Sequence, residues 1–164
     1  MKLLAVLALV PFMSSAADYT AERLNASPDE GGGELIRLAD TAHKTEVIVI
    51  PSLGNNSIEM KVNGKNIFYA PPITDFKAKP SFAGNPFLAP WANRLDHDGF
   101  YANGKHYTLD PNLKNYGADP YKQPIHGLLA YAPEWKVVDL KADGSRAQVT
   151  SRLEFWRYAN YMAE

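Results

Sequence analysis

The sequence predicts a mostly β protein, a sandwich of many short strands, on three observations. Short runs in which apolar and polar residues alternate recur along most of the chain, the period of a half-buried strand. Asn-Gly pairs at 63–64 and 103–104 stand between such runs, and both central residues of a type I′ hairpin turn need positive φ, which Asn and Gly tolerate best. No stretch keeps apolar residues at helical spacing for a convincing length, so short strands joined by tight turns remain.

Taken in order, the first strand signal is ELIRLAD, Glu34–Asp40, short and alternating. Thr45–Leu53, TEVIVIPSL, is dense in β-branched residues, as a buried strand should be. Ser57–Ala70 alternates around Asn63-Gly64 and reads as a hairpin, closed by Pro71-Pro72 because proline cannot donate to a ladder. Ile73 to Pro90 is broken by Pro80, Gly84, Pro86 and Pro90 and reads as loop. Phe100–Leu109 is the second Asn-Gly hairpin. Asp110–Gln123 has no apolar period, and loops of that length are usually functional or mobile. Glu134–Leu140 alternates, turns at Asp143-Gly144 and returns as Arg146–Trp156.

The ends read differently. Lys2, the apolar run Leu3–Phe12 and the small residues Ser14-Ser15-Ala16-Ala17 have the layout of a secretory signal peptide over 1–17. The run is about half of the ~20 residues that span a bilayer, and no cysteine follows it for lipid attachment. The expectation is a secreted or periplasmic protein with no membrane association after cleavage. Residues 18–33, polar and ending in three glycines, read as a flexible lead-in, which leaves 34–164 as the folded part.

A chain of 164 residues is long enough to bury a core. Its formal charge of −1, without a Lys/Arg block, argues against nucleic acid as a partner. With no cysteine there is no disulfide, thiolate metal site or thiol nucleophile. GxSxG, HExxH and phosphate-loop patterns are absent as well.

Two polar clusters flank the second hairpin: Asn93-Arg94, after the apolar run PFLAPWA, and His126-Gly127, after the Pro/Gly/Asn-rich loop. The hairpin between them is expected to bring them together. An amide offers donors and acceptors, a guanidinium a fixed fork of donors, and an imidazole either role, a set suited to vicinal hydroxyls. Residue type alone favours Arg94 pairing with Asp96, Asn93 capping a turn and His126 as a turn residue; it is the surrounding motif that reverses this. Trp91, beside the Asn-Arg pair, is a candidate site wall. Asp96-His97-Asp98-Gly99 lacks the later ligands of a calcium loop and reads as a turn, and His43 and His106 read as solvated.

PFLAPWANRL, FYANGK-Y and Ile125-His126-Gly127, in that order, resemble the aldose 1-epimerase (galactose mutarotase) family from about Leu35 onward. The resemblance implies the large galactose mutarotase-like β-sandwich, or supersandwich. It also implies interconversion of the α and β anomers of an aldose such as galactose or glucose, without metal or organic cofactor. Asn93, Arg94 and His126 match the family's sugar-binding groups. Its acid histidine and base glutamate match no residue here and are expected beyond Glu164, so the chain reads as a truncated, N-terminal half. The alternatives are a non-catalytic carbohydrate-binding sandwich, an epimerase of a phosphorylated or oligomeric sugar, and a half-domain completed by a second chain.

Overall fold

The computed structural model describes residues 18–27 and 32–157. The signal-peptide expectation at 1–17 lies outside the described residues. Every ladder between named strands is antiparallel. The main sheet has five strands in sequence order: β1 (Tyr19–Asn25), β2 (Glu34–Asp40), β3 (Thr45–Ile50), β4 (Asn56–Val62) and β5 (Lys65–Asn66). Three two-stranded ribbons follow: β6 (Gly99–Ala102) with β7 (Lys105–Thr108), β8 (Gly117–Ala118) with β9 (Pro124–Ile125), and β10 (Lys136–Ala142) with β11 (Ala147–Arg152).

Strand β1 corrects the expected lead-in at 18–33. Tyr19 to Asn25 pair residue for residue with Asp40 to Glu34. Its polar look comes from an edge position, where Arg23 meets Glu34 and Glu22 meets Arg37 at 3.4 Å across the ladder. Charges of this kind are how edge strands are kept from pairing with foreign chains. The β10–β11 hairpin lies against β1 and β2, and Arg23 Nη2 donates to the Val137 carbonyl at 3.4 Å.

Both Asn-Gly turns form as expected. Asn63 and Gly64 have φ of 51° and 76°, and Asn103 and Gly104 have 51° and 74°. The first hairpin is shorter than expected: β5 stops at Asn66, although Ile67 N still reaches the Met60 carbonyl at 2.7 Å. The stretch read as loop after Pro72 holds one turn of helix, α1 (Ile73–Ala78). Pro72 sits before the first turn, where a missing N–H breaks no helical bond. At the other end, Phe155–Arg157 form a 3₁₀ turn rather than continuing a strand to Trp156.

Helix α1 exists to deliver Phe76, which is fully buried against Leu35, Ile50, Ile58 and Ala83. Burying such a ring stabilises by roughly 2–3 kcal/mol. Because side chains alternate along a strand, Ile36 lies on the other face of β2, and it too is fully buried. The main sheet is therefore covered on both sides at β2. A second apolar cluster centres on Leu128, Leu129 and Ala132, packed by Ala89, Trp91, Tyr116, Trp135, Leu153 and Phe155.

The two clusters are tied together at Gly54, whose N–H donates to the Ala132 carbonyl at 3.0 Å. A Cβ there would lie 2.0 Å from the Ala130 carbonyl oxygen, so this approach requires glycine. Asn56 ties the 83–85 loop to the main sheet. It is 0% exposed, its Nδ2 donates to the Ala83 carbonyl at 2.9 Å, and its Oδ1 accepts from Asn85 N at 2.9 Å. A buried amide satisfied on both sides fixes the 83–85 loop, and with it the neighbouring Phe82, relative to the sheet.

Candidate functional site

The two sequence clusters do meet, by a route other than the expected one. The β6–β7 hairpin does not connect them. Instead the backbone after Trp91 pairs directly with β9 and the residue that follows it. Arg94 and Ile125 are bridge partners, Leu95 N donates to the Pro124 carbonyl at 2.9 Å, and His126 N donates to the Asn93 carbonyl at 3.1 Å. Asn93 and Arg94 thus lie alongside Ile125 and His126.

His126 and Gly127 are consecutive left-handed residues, with φ of 67° and 73°. The left-handed region is unfavourable for a residue with a Cβ by about 1–2 kcal/mol, so His126 is held there by its surroundings. Gly127 is required, because a Cβ would lie 2.2 Å from the Ala89 carbonyl oxygen. That same carbonyl accepts from Leu128 N at 2.7 Å. The pair therefore wraps the chain tightly around Ala89 and turns the imidazole back over the Asn-Arg segment.

The ring is fixed at one nitrogen. His126 Nδ1 lies 2.9 Å from the Ala92 carbonyl, which can only accept, so Nδ1 carries the proton and the neutral ring presents Nε2 as an acceptor. Phe82 meets the ring edge-on, with centroids 4.2 Å apart at 60°. Tyr131 tilts against Phe82 at 5.7 Å. His126, Phe82, Tyr131, Tyr116 and Ile125 line a cavity of about 380 Å³. Burial pushes the Tyr131 phenol pKa above its ordinary value, so at neutral pH its hydroxyl keeps its proton.

Arg94 opens onto a different depression, of about 690 Å³, lined also by Asp96, His97, Tyr101 and His106 and not by His126. Its partner is neither of the nearby aspartates. Nε donates to Asp119 Oδ2 at 2.7 Å, and Nη1 to Asn93 Oδ1 at 3.0 Å. The Arg94 guanidinium and, after it, the N–H groups of Gln123 and Tyr121 hold the Asp119 carboxyl below the usual carboxylate range, against the opposing effect of burial.

Trp91 is packed into the second apolar cluster and does not line either cavity; Phe82 and Tyr131 are the aromatic walls beside His126. The Asp119, Phe82 and Tyr131 roles were not read from sequence. Only Asp119 carried a signal, an Asp-Pro step opening a polar turn.

Elsewhere, His43 is exposed and its Nδ1 meets Asp40 at 2.8 Å, and His106 stacks on Tyr101 at 4.4 Å. Among the described residues no group of three His, Cys, Asp or Glu is placed to hold a metal ion, and no helix is long and apolar enough to cross a membrane.

Antiparallel ladders around a long strand-poor segment, with an Asn-Arg pair set beside a histidine, make a mostly β protein in keeping with the galactose mutarotase-like fold expected from the sequence. The solved structures include such a fold. The crystal structure at 1.80 Å of a galactose mutarotase-like protein from Clostridium acetobutylicum aligns with a TM-score of 0.66 and 26% identity. The alignment covers 86% of this chain and 42% of that one, so the chain spans under half the length of that protein. No curated protein matches the chain. The family model for aldose 1-epimerase matches residues 35–157. The chain belongs to the aldose 1-epimerase family.

Proposed function

We propose that the protein takes part in interconverting the anomers of an aldose such as galactose or glucose, and that Asn93, Arg94 and His126 hold the sugar. The observation that carries this reading is the direct pairing of the Asn93–Leu95 backbone with Pro124–His126, within a segment matched by the family model. The polar groups left over are complementary to hydroxyls. Arg94 can only donate, so a hydroxyl facing it accepts. The Nε2 of neutral His126 can only accept, so a hydroxyl facing it donates. A sugar hydroxyl does both, and Phe82 and Tyr131 supply apolar surface for a ring face.

Mutarotation needs a base to take the proton of the anomeric hydroxyl and an acid to protonate the ring oxygen as the ring opens; the aldehyde then rotates and closes on its other face. On this reading the acid histidine and base glutamate implied by the family resemblance are groups other than Asn93, Arg94 and His126. His126 has its Nδ1 proton committed to the Ala92 carbonyl. Neutral His126 therefore has no second ring proton to give as an acid, although its Nε2 is free to accept one. We assign these residues the binding part of the site on their match to the family's sugar-binding groups.

Calorimetric titration with galactose and glucose tests the assignment. Arg94→Ala and His126→Ala should each weaken binding by roughly 1–3 kcal/mol, the range for lost polar contacts. Variants that bind sugar like the parent would remove both residues from the site. In polarimetry on freshly dissolved α-galactose, the 164-residue chain should equilibrate anomers no faster than buffer. A turnover near about 10 s⁻¹ from this chain would show that its own residues carry the proton transfers. Binding to an oligomeric or phosphorylated sugar in preference to galactose would instead favour an epimerase of a modified substrate.

A further inference from the structure

Asp119 keeps a carboxylate almost wholly out of solvent, at 2% exposure, although it sits in a loop between two exposed stretches of chain. Both of its oxygens are used. Oδ1 accepts from Tyr121 N at 2.8 Å and Gln123 N at 3.0 Å. The loop also closes on its own backbone, with Asp119 N donating to the Gln123 carbonyl at 3.0 Å and Lys122 N to the Asp119 carbonyl at 2.9 Å. This leaves Oδ2 held at one place and aimed outward, where it accepts from Arg94 Nε at 2.7 Å.

The effect on Arg94 follows from counting donors. A guanidinium has five N–H groups in one plane. One is taken by Asp119 and one by Asn93 Oδ1. Those two bonds fix the plane and direction of a long side chain that is 48% exposed and would otherwise sample many rotamers. The remaining donors, on Nη1 and Nη2, are presented in a fixed fork.

We propose that Asp119 is a positioning residue for sugar binding: anchored by its own turn, it clamps the Arg94 guanidinium so that the free edge faces the ligand. This rests on the reading of Arg94 as a sugar ligand. A residue that only shapes its own loop would use Oδ1 alone. The carboxylate's second oxygen and its ionisation matter only if the clamp matters.

The substitution Asp119→Asn separates the two roles. An asparagine oxygen can replace Oδ1 in the turn, so the loop is retained, but its NH₂ group cannot accept from Arg94 Nε. Asp119→Ala removes both functions and serves as the structural control. In the 164-residue chain, the Arg94 Nε–Hε signal in a proton–nitrogen NMR spectrum, assigned by its loss in Arg94→Lys, should be protected from exchange in the parent. In Asp119→Asn it should exchange as a free guanidinium does.

Galactose titration of the same samples should give about fivefold to tenfold weaker binding for Asp119→Asn, a range set by one charge-assisted contact at a partly exposed position, with a smaller fall in thermal midpoint than in Asp119→Ala. An unchanged Arg94 signal in Asp119→Asn would overturn the clamp. A lost signal with undiminished galactose affinity would overturn its role in binding. A parent that binds no galactose, while the Arg94 signal responds as expected, would support the clamp and overturn the sugar reading of the site.

Discussion

Replacing Asn56 with alanine should loosen the segment that carries Phe82 and lower the stability of the whole chain. The side chain is 0% exposed and makes two hydrogen bonds of 2.9 Å, to the Ala83 carbonyl and from Asn85 N. The two losses are unequal. Asn85 N also lies 2.9 Å from the Ser57 carbonyl and keeps that bond, whereas the Ala83 carbonyl loses the amide donor inside the fold. A lost neutral bond is worth about 1 kcal/mol net, and a carbonyl left without it in a buried place adds about 1 kcal/mol or more. With the void left by the amide, the expected destabilisation is roughly 2–3 kcal/mol.

Urea unfolding followed by circular dichroism measures this change. The environment of the His126 ring, 4.2 Å from Phe82, reports the loosened loop through its ring-current-shifted proton resonances. Asn56→Asp sharpens the test. One oxygen still accepts from Asn85, but the other now opposes the Ala83 carbonyl and buries a charge. At neutral pH it should be worse than Asn56→Ala, and it should recover as the pH falls, because the protonated carboxyl can donate to that carbonyl. An alanine variant within about 0.5 kcal/mol of the parent, with unshifted His126 resonances, would refute the reasoning.

Two further outcomes are expected. Gly127→Ala should cost at least about 3 kcal/mol, because it combines a φ of 73° with a Cβ placed 2.2 Å from the Ala89 carbonyl oxygen. Gly104→Ala, at φ 74° with nothing within 4 Å, should cost only about 1–2 kcal/mol; equal losses in urea unfolding would mean that the close approach to Ala89 does not matter. We also propose export, since Lys2, Leu3–Phe12 and Ser14–Ala17 have the layout of a signal peptide: N-terminal sequencing of exported protein should begin near Ala17 or Asp18, and an intact Met1 would exclude cleavage.

Much of the main sheet was legible because its signals are local. Glu34–Asp40 alternates and forms β2 with those bounds, and each Asn-Gly pair supplies the two positive φ angles its turn needs. Strand β1 was hidden because its polar residues, Glu22 and Arg23, find partners on the neighbouring strand, where a sequence shows only charge. Helix α1 was hidden for a different reason. Six residues between prolines carry too little periodicity, and Phe76 makes the helix worthwhile only when Leu35, Ile50 and Ile58 are already in place.

The site divides in the same way between what is local and what is not. Asn93, Arg94 and His126 could be singled out by motif, yet the expected link through the β6–β7 hairpin is not what joins them. The link is a backbone pairing between segments more than thirty residues apart, Arg94 with Ile125, and a ladder of that kind has no signature in either segment alone. Once formed, it explains details that residue type left open. Pairing sets His126 N on the Asn93 carbonyl, the left-handed turn swings the ring onto the Ala92 carbonyl, and Nε2 is left as an acceptor. The same pairing draws the 117–125 ribbon against Arg94, which is what brings Asp119 within reach in place of the sequence-adjacent Asp96. Donor fork and acceptor ring are therefore oriented by one element. A substitution that slipped the pairing by a single residue would misdirect both at once, whereas substitutions in the exposed β6–β7 turn, at Asn103 or Gly104, would leave both directions intact.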